Sequence, residues 1–480
     1  MATALRLKTI GWTLATIALF SLGTMAAEPA SPATTAAVPT AADVALAKVA
    51  PAGAIEAIDR IAREPIDQKK TASLAVAVMR NGRLVLARGY GLADLENSVP
   101  ATAETVYRLG SITKQFTAMA IMQLAEQGKL SVEDDLSKFL PDFPLAGHKV
   151  SVHQLLNHTS GIKSYTSTKD FFKRARQDLT HDELLGLFKD EPFEFEPGVK
   201  WRYNNSGYYL LGMIIEKASG QSYAEYLEQH IFQPLAMSAT RYGHLRTIIP
   251  RRAAGYRRQG EDLINDDPIS MDAPGAAGAL VSNVLDLVKW HQALEAGELV
   301  SSASYEAMYR PTKLADGSEQ PYGYGWGLGD LAGKRKLSHG GGINGFSTMI
   351  GRYPDERVAV IVLANTAGFN TGAVEAQIAK VLLGIQESPI ADLPIDAPLV
   401  EQLAGAYKLE DLKVELTAED GKLFATLEGR PKDRLKYQGQ RRFVSSANPD
   451  IRIRFTPDEG PATAFELEAE GQKLSAKRAE

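Results

Sequence analysis

The chain has 480 residues, 44% of them hydrophobic and 23% charged, with a formal net charge of −5 and no cysteine. That length and apolar content fit a globular protein of two or more domains, and the mildly acidic balance gives no electrostatic reason to expect nucleic acid as a partner. Without thiols, a disulfide frame, a lipid-anchored start, a cysteine nucleophile and thiolate metal sites are excluded.

In chain order, residues 1–27 read as a signal peptide. Arg6 and Lys8 supply the positive start, Ile10 to Leu22 the apolar core, and Thr24, Ala26 and Ala27 the small residues before a cut at Glu28. The chain is therefore expected in the periplasm or secreted beyond it, with no stable membrane span once the leader is removed. Residues 28–52, rich in Ala, Pro and Thr, read as a flexible linker. A helix is predicted from Ala54 to about Arg63. Two apolar runs, Leu74 to Met79 and Leu84 to Ala87, flank Asn81-Gly82 and predict a β-hairpin. Residues 111 to about 320 read as mainly helical with many loops. Strands return at 347–353 and 357–363 across Pro354-Asp355, and a helix follows over about 372–383. Strands at both ends with helices between predict an α/β (α+β) domain over 53–386. Its antiparallel sheet pairs early and late segments, with a helical insert packed against it. A proline-containing linker spans 387–397. Residues 398–480 then alternate in short strands at 413–416, 423–427, 441–444, 451–455 and 463–467, a small all-β domain with a structural or substrate-shaping role.

Chemistry concentrates in three places. Ser111-Ile112-Thr113-Lys114 sets a hydroxyl and an amine on one helical face, and a desolvated lysine can take the proton that makes serine nucleophilic. Chance alone gives roughly two such matches in a chain of this length, and Ser160-Gly161-Ile162-Lys163 is the second. Context separates them. Ser111 opens a long apolar helix whose first-turn N–H groups favour an oxyanion, whereas Ser160 runs into a polar loop. Tyr203-Asn204-Asn205, on a loop after Pro197-Gly198 and Trp201, can turn a phenol and a carboxamide into a cleft; a nearby cation would hold that phenol partly as phenolate. Ser338-His339-Gly340-Gly341-Gly342 precedes the strand 347–353, where glycines let backbone approach a ligand closely. Alone, each also fits an ordinary cap, wedge or turn.

Together, in this order, they resemble the serine hydrolases of the penicillin-binding-protein and β-lactamase superfamily, in the branch of class C β-lactamases, D-Ala-D-Ala carboxypeptidases and related esterases. Further phrases match: Leu155-Leu156-Asn157-His158-Thr159-Ser160-Gly161, Phe195 to Gly198, Ala276 to Ser282 and Gly323 to Gly327. The resemblance covers about residues 55–385. It implies Ser111 as the acylated nucleophile, Lys114 as its base and Tyr203 as the proton shuttle. Asn205, His339 and Gly341 would bind substrate. The backbone N–H groups of Ser111 and Gly342 would form an oxyanion hole, each donor contributing about 3–4 kcal/mol. No cofactor or metal is implied: the chain has no H-E-x-x-H, and His148, His153 and His158 are spaced away from one helical face. The α/β-hydrolase elbow G-x-S-x-G is missing too. His339 and Gly340 stand where class C enzymes carry lysine and a hydroxyl residue, so the grip on a substrate carboxylate is weakened. The resemblance leaves open an ester, a D-amino-acid peptide or a β-lactam-like substrate. The alternative is a slowly deacylating penicillin-binding or peptidoglycan-sensing module.

Overall fold

The computed structural model describes residues 51–386, 390–409, 412–427, 432–447, 451–469 and 472–479. The expected signal peptide and residues 28–50 of the expected linker lie outside them.

The strand Ser73–Arg80 (β1) is apolar almost throughout because both of its faces are covered. Leu74, Val76 and Val78 meet Ile58 and Ala62 of helix α1 (Ala54–Asp67) and Val374, Ile378 and Leu382 of helix α5 (Thr371–Leu383). Ala75, Ala77 and Met79 face the opposite side. That side also holds Phe116 and Ile121 of α2 (Thr113–Glu126), Leu210 and Ile214 of α3 (Asn205–Ser219) and Trp290 of α4 (Val284–Ala296). Period-two alternation thus feeds two separate cores from one strand.

The sheet has seven antiparallel strands in the order β4 (Gly327–Leu331), β5 (Lys334–Ile343), β6 (Phe346–Tyr353), β7 (Val358–Ala364), β1, β2 (Arg83–Asp94) and β3 (Val99–Pro100). Early and late segments meet where β1 runs against β7, from Leu74 opposite Ala364 to Arg80 opposite Val358. The His339 glycine run lies inside β5 and is paired along its length with β6. Its lysines, arginine and glycines carry little strand propensity, and pairing with a strong neighbour decides the conformation.

The C-terminal residues close an eight-stranded antiparallel barrel that begins at Gly405–Leu409 and ends at Gln472–Arg478; these two strands pair to seal it. Tyr407, Leu416, Phe443, Phe455 and Phe465 fill its interior beside Val400 and Leu403 of helix α6 (Ala397–Leu403). Each of the five tail strands predicted from sequence is present. Gly405–Leu409, Asp433–Tyr437 and Gln472–Arg478 are additional, their alternation masked by lysines, arginines and an aspartate.

Ile361 in β7 is fully buried between β1 and β6. Ile361→Ala should remove about 2–5 kcal/mol of stability, read as a lower denaturant midpoint at unchanged slope. A loss under about 0.5 kcal/mol would show that this sheet is not the stabilising core.

Candidate active site

Ser111 stands where the chain leaves the short strand Tyr107–Arg108 and enters a single 3₁₀ turn, Gly110–Ile112, ahead of α2. Gly110 makes that turn possible. Its φ is +53°, and a Cβ there would lie 2.9 Å from the Gly342 nitrogen of β5. A side chain would add left-handed strain to a backbone collision. Thr113 fixes the following turn, its Oγ1 accepting the Leu280 N–H at 3.1 Å.

Three residues beyond Ser111, Lys114 is fully buried. Its Nζ lies 3.2 Å from Ser111 Oγ, 2.9 Å from Asn205 Oδ1 and 2.8 Å from the Ala277 carbonyl oxygen. Burial pushes the ammonium well below the usual lysine range. A neutral amine has two N–H bonds and one lone pair. The Asn205 and Ala277 oxygens can only accept, so they take the two N–H bonds. The lone pair then faces the Ser111 hydroxyl.

Tyr203 reaches the same spot from the loop before α3, its ring centroid 4.8 Å from Lys114 Nζ. Its hydroxyl is buried and has no hydrogen-bond partner among the described residues. Burial raises its pKa above the usual phenol value, and the Ser111 hydroxyl offsets only part of this, acting without hydrogen-bond geometry. This corrects the expectation of a partial phenolate. Burial disfavours the charged form of Lys114 as well, and desolvation of the phenol outweighs the Ser111 contribution.

Asn205 opens α3 one residue after its cap, Asn204, whose Oδ1 accepts the Gly207 N–H. The Asn205 Nδ2 donates to Thr166 Oγ1 at 3.2 Å, so its carboxamide bridges Lys114 and the 163–168 loop. Gly341 and Gly342 of β5 press against the approach to Ser111. A Cβ on Gly341 would lie 2.0 Å from the Leu109 oxygen and 2.1 Å from Thr348 Oγ1, which itself donates to Leu109 at 2.8 Å.

His339 sits in the wall of a cleft of about 420 Å³, with Tyr203, Tyr322, Gly340, Thr348 and Asn370. No lysine, arginine, aspartate or glutamate lines it among the described residues. Both His339 nitrogens have protein partners. Nδ1 lies 2.6 Å from the Gly340 carbonyl oxygen, which can only accept, so Nδ1 carries the proton and Nε2 accepts the Tyr322 hydroxyl at 2.8 Å. Burial pushes its pKa down to about 4, leaving the ring neutral at pH 7.

The second S-x-x-K pair folds differently. Lys163 forms an ion pair with Glu194 at 2.9 Å, and Ser160 is buried away from it. Sequence reading gave His158 no role at the site. Its ring lies 4.4 Å from that of Tyr203 and 4.8 Å from that of Tyr322, and its Nδ1 accepts the Asn204 N–H at 3.1 Å. The signal was its place in Leu155 to Gly161, but no spacing rule links it to Tyr203.

The family model for Beta-lactamase matches residues 58–384. The chain belongs to the beta-lactamase family. Penicillin-binding protein 4* of Bacillus subtilis (strain 168) is 31% identical over 444 residues, covering 86% of this chain and 97% of that protein. Among solved structures, the octameric penicillin-binding protein homologue from Pyrococcus abyssi superposes with a TM-score of 0.63 at 27% identity, over 88% of this chain and 99% of that one. The D-amino acid amidase from Ochrobactrum anthropi SV3 superposes with a TM-score of 0.61 at 26% identity, over 69% and 99%. Within this beta-lactamase-family site, the motifs that sequence reading singled out converge on Ser111, and the two glycine backbones of β5 and the 3₁₀ turn touch.

Gly341→Ala should misplace the Leu109–Ser111 segment while leaving the core intact. Hydrolytic kcat/KM is expected to fall about 100-fold or more with an unchanged far-ultraviolet circular dichroism spectrum. Retention of full activity would show that the close approach of β5 does not position the nucleophile.

Proposed function

We propose that this protein hydrolyses small acyl esters or D-amino-acid amides through an acyl-enzyme on Ser111. The observation that carries this is the Lys114 amine, committed to two pure acceptors and left with one lone pair for the Ser111 hydroxyl. In acylation the Ser111 proton passes to Lys114 as Oγ bonds to the substrate carbonyl carbon. The backbone N–H groups of Ser111 and Gly342 receive the oxyanion. Tyr203, a neutral phenol at rest, gives its proton to the leaving oxygen or nitrogen, and Lys114 returns the serine proton to Tyr203. Water then repeats the sequence in reverse and releases the acid. Desolvation of Lys114, rather than a charged partner, makes it a base at neutral pH.

The uncharged lining of the cleft shared by Tyr203 and His339, and the engaged His339, support a substrate without a free carboxylate on that side. The resemblance to a D-amino acid amidase supports an amide of that kind. The likeness to Penicillin-binding protein 4* favours a second reading, a slowly deacylating penicillin-binding module. The leader-like N-terminus supports placing the protein in the periplasm.

Three measurements test this. Ser111→Ala should lower turnover of p-nitrophenyl esters about 10⁴-fold or more; full activity in that variant sinks the mechanism. Wild-type kcat/KM on p-nitrophenyl esters should exceed that on nitrocefin, and a stoichiometric, persistent β-lactam adduct without turnover would favour the sensor instead.

The pH profile carries its own sign. Activity needs neutral Lys114, whose pKa is lowered, so kcat/KM should stay high at neutral pH and fall as acid protonates the amine. A profile that rises only toward pH 10 would show an ordinary, charged lysine.

A further inference from the structure

A second cavity, of about 240 Å³, lies at the other end of β6 from the Ser111 site. Arg352, on its wall, is four residues along the strand from Thr348, about 13 Å away at strand rise. The cavity is lined by the apolar Met79, Leu294, Val358 and Ala359 together with His291, Arg352, Glu295 and Arg357.

Two of its polar groups are short of partners. His291 is 1% exposed, and neither ring nitrogen has a hydrogen-bond partner among the described residues. Burial, then the Arg352 charge, hold that ring neutral, so it carries one N–H donor. Arg352 is 8% exposed. It donates to the Tyr309 hydroxyl at 3.0 Å and lies 5.8 Å from the Trp326 ring. Among the described residues no carboxylate forms an ion pair with it, whereas Arg357 is matched by Glu295. The cavity therefore holds one surplus positive charge beside an unused N–H and an apolar wall. Ordered waters would satisfy the histidine but leave the guanidinium without a counter-charge.

We propose that this cavity binds a small monocarboxylate, with its carboxylate on Arg352 and the His291 N–H and a short apolar tail against Met79, Leu294 and Ala359. One unmatched guanidinium suits a monoanion, and its fork suits two coplanar oxygens. A phosphate dianion would need a second free cation, and the apolar wall would give it nothing. An acyl hydrolase releases acids of this class, but the assignment uses no residue of the Ser111 site.

The test is thermal denaturation and calorimetric titration of the purified protein with butyrate, butyramide and sulfate. Butyrate should raise Tm with concentration, and butyramide and sulfate should not. Arg352→Gln should weaken butyrate binding about tenfold or more. Because losing a buried arginine can itself unfold the protein, Ala359→Leu provides a second variant. It fills the cavity with the arginine in place, and should abolish binding while ester hydrolysis continues. No butyrate effect in the wild type, an equal effect from sulfate or butyramide, or undiminished binding in Ala359→Leu would each overturn the proposal. Loss of esterase activity in Ser111→Ala with butyrate binding retained would separate this site from the catalytic one.

Discussion

Removal of Lys114 from water is the constraint around which the catalytic domain is arranged. A lysine in solvent is charged at neutral pH and cannot accept a proton. Here it lies in a helix whose residues from Thr113 to Met122 are all buried, so α2 has no solvent face along that stretch. The packing is close enough that Gly325 touches the Lys114 backbone; a Cβ at 325 would lie 2.8 Å from the Lys114 oxygen. The helix loses its amphipathic stripe to keep one amine dry.

Desolvating an amine is tolerable only if its remaining polar bonds are made. The Asn205 and Ala277 oxygens do this, and each comes from a different part of the chain: the start of α3, and the short helical turn Gly275–Ala277. Asn205 is in turn tied to Thr166 and Ser164. Lys114 thus draws three loops onto one point, and its contact with the Asn205 oxygen helps to orient that carboxamide. Tyr203 shows the complementary case. Its hydroxyl is buried and has no hydrogen-bond partner among the described residues, so its desolvation is left uncompensated.

Much of this was legible in the sequence because it depends on local chemistry. The Asn81-Gly82 hairpin, the two-faced β1 and the Ser111–Lys114 spacing follow from turn preference and periodicity. What was not legible depends on long-range contact. Lys163 reads like Lys114 until Glu194 is seen beside it. The charge state of Tyr203 could not be inferred from the mere presence of a lysine, because burial disfavours the charged form of both groups. His158 touches Tyr203 across forty-five positions of chain, and no motif predicts that.

The third motif shows how the same fold can keep its chemistry and change its grip. A lysine at position 339 would bring a permanent charge to the cleft wall. His339 instead spends Nδ1 on Gly340 and Nε2 on Tyr322. Tyr322 then becomes the residue that decides the wall's character. Its hydroxyl donates to the ring nitrogen that the Gly340 contact leaves unprotonated, and its ring packs against His158 and Trp201. A neutral, fully bonded imidazole excludes water and shapes the cleft without attracting an anion. Among the described residues, the wall that contains His339 therefore presents no charged side chain to the cleft.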